Sequence, residues 1–201
     1  MTDSVDPTFF KELSDKDPTD VCRRALCQYD RTMRSYTLSV WGEEIVIIPH
    51  QQKIECTRNG RLEAYLNFFA IHYLLGATVT DISNTWISEK EIPGGVTFFR
   101  GPHRIPTECI SSRFENALDE FSRWCERLGG DPLSMADAAY RFEIVSRIPA
   151  AVLFWRGDDD FPAEAKILFD RTITDHLATD VIYALAVAIC ERLGHPPTAI
   201  T

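Results

Sequence analysis

Apolar and polar side chains alternate along the stretch from Tyr36: Tyr36, Leu38 and Val40 fall on one side, Thr37, Ser39 and Trp41 on the other. A period of two belongs to a strand with one covered face. Gly42-Glu43 offers a hairpin turn with glycine first, Ile45 to Ile48 returns, and Lys53 to Thr57 predicts a further short strand ended by Asn59-Gly60. Three more apolar runs, Tyr140 to Val145, Ala150 to Trp155 and Ala165 to Phe169, predict a meander broken at Arg147-Ile148-Pro149 and at Gly157 to Pro162.

Between and around these strands the period changes to that of a helix. Asp17 suits an N-cap, Pro18 the first helical position and Asp20 the positive first turn, so a short helix is predicted from Asp17 to about Cys27. Leu62, Tyr65, Leu66, Phe69 and Tyr73 form one stripe of a helix over Leu62 to Gly76, with Gly76 as its C-terminal cap. Ser112-Arg113-Phe114-Glu115 has the form of a capping box opening a helix with Phe114, Leu118, Phe121, Cys125 and Leu128 on one face, stopped by Gly129-Gly130-Asp131-Pro132. A last helix, apolar nearly all round, begins at Thr179 and ends at Gly194 and Pro196. Residues 77–106 read as mostly irregular, with turns at Pro93-Gly94-Gly95 and Gly101-Pro102.

The order predicts an α+β fold in which antiparallel strand groups at about residues 36–57 and 140–169 pack with about four helices. Residues 1–16 are read as a loose N-terminal arm that Phe9, Phe10 and Leu13 would dock, and residues 17–195 as a single domain. The length of 201 residues, with 45% hydrophobic and 25% charged side chains, suits one folded domain and excludes a disordered tail, a rod or a disulfide-dense miniprotein. A formal net charge of -9 argues against nucleic acid and anionic membranes as partners. Met1 to Asp17 lacks the basic start and apolar core of a signal peptide, and the longest near-apolar run, Val181 to Cys190, falls short of a membrane span. The expected location is the cytoplasm. Six cysteines include no CxxC; the nearest two, Cys22 and Cys27, would point about 140° apart on a helix. They are read as reduced, small apolar side chains.

No glycine-rich dinucleotide or phosphate loop, HExxH, GxSxG or EF-hand pattern is present. The chemistry on offer lies elsewhere. Trp86 to Arg104 gathers Gly94, Gly95, Phe99, Arg100, His103 and Arg104 in one loop. The glycines would let backbone approach a ligand, the arginines would hold a carboxylate or phosphate, and His103 would ligate a metal or cofactor. Opposed to this stands a turn with a satisfied histidine and surface arginines. Asp158-Asp159-Asp160 would suit a hard cation such as Mg²⁺ or Ca²⁺, or simply a solvated hairpin tip. His176 would become a general base if the fold brought it to Asp170 or Asp158, and otherwise belongs to a helix-entry loop. His72 sits on an apolar stripe as a core histidine, whereas His50 and His195 flank prolines at element ends.

Several segments carry a family resemblance: His72-Tyr-Leu-Leu, Trp86-Ile-Ser-Glu-Lys-Glu-Ile-Pro-Gly-Gly, Phe99-Arg-Gly-Pro-His103, Arg147-Ile-Pro, Trp155-Arg-Gly-Asp-Asp-Asp-Phe-Pro-Ala and Leu168-Phe-Asp170. Over about residues 18–193 the chain resembles the bacterial and archaeal family called domain of unknown function 3786. That family has no assigned reaction. The resemblance implies an anaerobic setting and a link to corrinoid or one-carbon chemistry, because some relatives are joined to a four-cysteine iron–sulfur domain like that of corrinoid iron–sulfur proteins. This chain has no four-cysteine module.

The leading expectation is a ligand- or cofactor-binding accessory protein of anaerobic metabolism. Its site would comprise Trp86, Gly94, Gly95, Phe99, Arg100, His103 and Arg104, closed by the turn at Asp158–Asp160, with His103 contacting the metal of a corrinoid or other tetrapyrrole. The expected partners are a small anion or cofactor, an iron–sulfur or corrinoid protein, and a second copy of the chain. One alternative is an enzyme acting on a small anionic substrate, with His103 or His176 as base, Glu89, Glu91 or Asp158 as its orienter and Arg100 as oxyanion partner. Another is an interaction subunit without a small-molecule site.

Overall fold

The computed structural model describes residues 5–56 and 64–195. Its first sheet is an antiparallel meander of β1 (Gln28–Asp30), β2 (Ser35–Val40), β3 (Glu43–Ile48) and β4 (Lys53–Cys56) in that order. The alternation seen in the sequence is realised: Tyr36, Leu38 and Val40 of β2 and Ile45 and Ile47 of β3 are buried, while Ser39 faces solvent. The turn is displaced from the expected Gly42-Glu43. Val40 pairs with Glu43, and Trp41 (φ 50°) and Gly42 (φ 73°) form the two-residue connection.

A tryptophan in the left-handed region costs about 1–2 kcal/mol, and tertiary contacts hold it there. The Trp41 backbone N–H donates to Ile144 O at 2.7 Å and its indole Nε1–H to Leu128 O at 3.0 Å. Its ring lies 5.1 Å from that of Phe142, with the Arg192 guanidinium 5.0 Å away on the ring face. The hairpin tip therefore locks the first sheet to the second half of the chain.

The second sheet is also antiparallel and runs β5 (Trp86–Ile87), β9 (Glu164–Asp170), β8 (Ile148–Trp155), β7 (Ala138–Val145), β6 (Asp131–Leu133) in space. The three long strands are those read from the apolar runs. Ile148 to Phe154 are buried without alternation because both faces of β8 are covered. One face meets the main core. On the other, Ala139, Ala151, Leu153 and Leu168 form a small cluster roofed by Trp86, Leu133, Met135 and Trp155.

The arm read as loose contains α1 (Pro7–Ser14), capped by the Asp6 carboxylate on Thr8 N–H at 2.8 Å and docked through buried Phe10 and Leu13. The expected cap at Asp17 starts α2 (Pro18–Ala25), which ends at left-handed Leu26 (φ 53°). Next follow α3 (Ala64–Gly76) and the single turn α4 (Gly95–Phe98). Gly76 does not cap α3. A Cβ there would stand 2.7 Å from His176 O, so glycine permits a close backbone crossing.

The long helix expected from Ser112 is two helices, α5 (Glu108–Phe114) and α6 (Leu118–Arg127), separated at Glu115 (φ 45°). The Ser112–Glu115 pattern therefore caps nothing. Phe114 and Phe121 still meet edge-to-face, 5.4 Å apart across the break, which explains why the apolar spacing continues through it. A capping box forms instead at Ser88–Glu91. The one-turn α7 (Ile173–His176) leads into α8 (Thr179–Gly194), ten of whose residues are buried. Helices α3 and α8 pack together at the centre, and residues of both sheets join one continuous apolar core around them. Thr57, Asn59-Gly60, Leu62 and Pro196, assigned to element ends from the sequence, lie outside the described residues. Among the described residues no helix is long and apolar enough to cross a membrane.

Candidate functional site

The loop expected to form one pocket disperses its side chains. Trp86 sits on β5 and roofs the small apolar cluster on the outer face of the second sheet. Gly94 is the left-handed residue before α4, and Gly95 is buried so tightly that a Cβ would fall 1.9 Å from Glu89 O. These glycines shape the chain rather than a ligand cradle. Phe99 and Arg104 reach a cavity of about 310 Å³ shared with Glu89, Lys90, Glu164 and Lys166. Arg104 also pairs with Glu108, while Arg100 is exposed and has no ion pair among the described residues.

His103 is not in that cavity. Its exposed ring stacks on Phe98, with centroids 4.6 Å apart and planes 16° from parallel, and meets Tyr183 of α8 edge-on at 5.4 Å. Tyr183 Oη–H donates to Pro102 O at 3.1 Å and ties the loop to α8. No hydrogen bond occupies either ring nitrogen of His103 among the described residues. The imidazole is thus open to solvent on its nitrogen side, with Arg100 three residues before it.

The Asp158–Asp160 turn does not close this loop. Asp158 lines a different cavity of about 480 Å³ with Glu108, Ser111 and Asn116. Its Oδ1 accepts the N–H groups of Asp160 (2.9 Å) and Phe161 (2.8 Å), so the carboxylate caps its own turn. Among the described residues no group of three or more His, Cys, Asp or Glu side chains is arranged to hold a metal ion.

The acid–base pairings weighed from the sequence are absent too. His176 Nδ1 accepts Thr78 N–H at 3.1 Å, which assigns the proton to Nε2, a buried atom without a partner. Burial lowers the His176 pKa below its ordinary 6.5. Asp170, only 2% exposed, is taken up by five donors: Ser83 N–H and Oγ–H, Thr85 N–H, and Thr172 N–H and Oγ1–H. Burial alone would raise its pKa, but the Thr172 and Ser83 donors outweigh that and hold it below the ordinary carboxylate value. Glu91 Oε2 is bound locally by Ser88 N–H at 2.8 Å and Oγ–H at 3.0 Å.

Arg147, buried in the turn between β7 and β8, donates to Arg24 O at 2.9 Å and Thr80 O at 3.0 Å, and Tyr73 Oη–H donates to Ala25 O at 3.2 Å. These polar groups fasten the end of α2 to the 77–85 segment. They build the fold.

His72 is held between Phe9 (4.2 Å) and Phe68 (4.3 Å), and its Nε2 is buried without a partner. Burial lowers its pKa below 6.5, as it does for His176. A histidine with a depressed folded pKa leaves the unfolded chain binding more protons, so stability falls as pH drops from about 6.5 and levels off below the folded value. The variant His72→Phe is expected to be more stable by about 1 kcal/mol at neutral pH and to lose less stability on acidification. Urea denaturation at two pH values reads both effects.

One arrangement escaped the sequence reading. Counting residues along an ideal helix separates Cys22 from Cys27, but α2 stops before Cys27 and left-handed Leu26 turns the chain back. The two Sγ atoms lie 3.7 Å apart. Both line a cleft of about 680 Å³ with Asp17, Thr19, Tyr29, Arg31 and Arg34. No local signal marks that stop, since a leucine rather than glycine or asparagine takes the left-handed position.

Residues 17–192 match the protein family described as Domain of unknown function (DUF3786). No curated protein matches the chain. No solved structure matches it.

Proposed function

We propose that this chain, which belongs to that family by a match over most of its length, is a ligand-binding accessory protein of the cytoplasm in anaerobic metabolism. Its ligand would be an anionic, metal-centred planar cofactor of the corrinoid or tetrapyrrole class. One observation carries the reading: an exposed imidazole, with no hydrogen bond at either ring nitrogen among the described residues, rests on an aromatic shelf of Phe98 and Tyr183. Such a shelf presents a ligating nitrogen together with apolar surface for a flat macrocycle. Arg100 supplies an unpaired cation for a peripheral carboxylate or phosphate. The bound group would bring the metal chemistry; this chain would supply His103 as ligand and the shelf as support. The engagement of Asp170, Glu91 and His176 in structural hydrogen bonds favours this reading over a hydrolytic or isomerising enzyme.

Titration of the intact protein with aquocobalamin and, separately, with ferric haem tests it. The expected result is a visible-band shift with one of them, lost in His103→Ala while the thermal melt stays unchanged. No shift with either, or a shift that survives in His103→Ala, overturns the assignment.

A further inference from the structure

We propose that Cys22 and Cys27 are a redox couple, an internal disulfide formed by exchange with an anionic low-molecular-weight disulfide admitted to the cleft beside them. The geometry supplies the pair. At 3.7 Å the two sulfurs are already in van der Waals contact, and bond formation brings them to roughly 2.0 Å. The frame that carries them is fixed on both sides. The carbonyls of Arg24 and Ala25, at the end of α2, are held by Arg147 and Tyr73. Just after Cys27, Gln28 enters β1 opposite Thr37.

The cleft supplies the access and the selectivity. At about 680 Å³ it is larger than the cavities at Arg104 and at Asp158, and both cysteines line it. Arg31 and Arg34 line it as well, are exposed, and have no ion pair among the described residues. Two unpaired guanidinium groups at the mouth favour a disulfide bearing carboxylates over a neutral one. Asp17, also at the cleft, is bound to Thr19 N–H at 3.0 Å as the cap of α2. The other described cysteines differ: Cys125 and Cys190 are buried, Cys109 donates its thiol proton to Cys190 O, and Cys56 donates to Glu43.

The exchange runs in two balanced steps. Cys22, deprotonated, attacks one sulfur of the small disulfide; a Cys22–S–S–R bond forms, and the other half leaves with the electron pair and takes up a proton. Cys27 then gives up its proton and attacks the Cys22 sulfur, displacing the second half as a thiol. The two cysteines lose two electrons and two protons, and the small disulfide becomes two thiols. The order follows from environment, since burial and the adjacent Cys22 push the Cys27 thiol up and make it the poorer first nucleophile.

Intact-mass measurement and peptide mapping of the full chain after incubation with oxidised glutathione test the proposal. The expected product is lighter by two hydrogen atoms, with Cys22 linked to Cys27 and the other four cysteines open to alkylation in denaturant. Cys27→Ser is expected to stop at one glutathione on Cys22, and Cys22→Ser to give no internal disulfide. Arg31→Ala combined with Arg34→Ala is expected to slow the reaction roughly fivefold with oxidised glutathione and leave the rate with neutral hydroxyethyl disulfide unchanged. Cys22 and Cys27 both remaining alkylatable after prolonged incubation, or a bridge to another cysteine, overturns the proposal. Equal slowing with both reagents overturns the role of the arginines.

Discussion

An Asp170→Ala variant is expected to be about 3–5 kcal/mol less stable than the parent chain. Five donors from Ser83, Thr85 and Thr172 converge on this carboxylate, four of them on Oδ1. Alanine leaves the Ser83 and Thr172 backbone N–H groups without this acceptor, while Thr85 N–H keeps Ser83 Oγ at 3.2 Å, at the end of β9, where Trp86 pairs with Asp170 and Arg171 N–H bonds to Thr85 O at 2.9 Å. Asp170→Asn keeps one acceptor oxygen and is expected to lose about half as much. The pH dependence distinguishes charge from shape. The folded pKa is depressed, so the parent's contribution is complete above the ordinary 3.8 and lost as pH falls through the lower folded value. Chemical denaturation of the three proteins across this range should show the acid-dependent loss shrinking in both variants. Equal stability of Asp170→Ala and the parent at neutral pH would contradict the account.

Trp41→Ala is expected to cost about 3–5 kcal/mol through a different route. The residue occupies a strained backbone position that alanine inherits, while the contacts with Phe142, Arg192 and Leu128 O disappear. Trp41→Phe retains most of the ring packing and loses only the indole donor, for an expected cost of about 1–2 kcal/mol. Denaturant midpoints measured on the three proteins give the ordering. A larger loss in Trp41→Phe than in Trp41→Ala would mean that shape, not contact, governs this hairpin tip.

What was legible in the sequence was local. Continuous apolar runs marked β7, β8 and β9, and alternation marked β2. An acidic cap followed by proline marked α2. The two- and three-residue strands β1, β5 and β6 carry no usable period, because their existence rests on partners far along the chain, such as Asp170 for Trp86. The break at Glu115 was hidden for a related reason: Phe114 and Phe121 face the same core whether or not the helix is continuous. The functional residues divided similarly. His103 was visible as a cationic loop histidine, yet its shelf depends on Tyr183, eighty residues later. Trp86 is near it in sequence, but strand pairing carries its ring to the outer face of the second sheet. The Cys22–Cys27 contact was lost by extending helical geometry past the point where Leu26 ends it.

The outermost strands of both sheets are very short: three and four residues in β1 and β4, two and three in β5 and β6. A foreign strand seeking to extend the ladder at β1, β5 or β6 would find only two or three residues to pair with. At those three edges the brevity of the strands thus guards against fibrillar stacking.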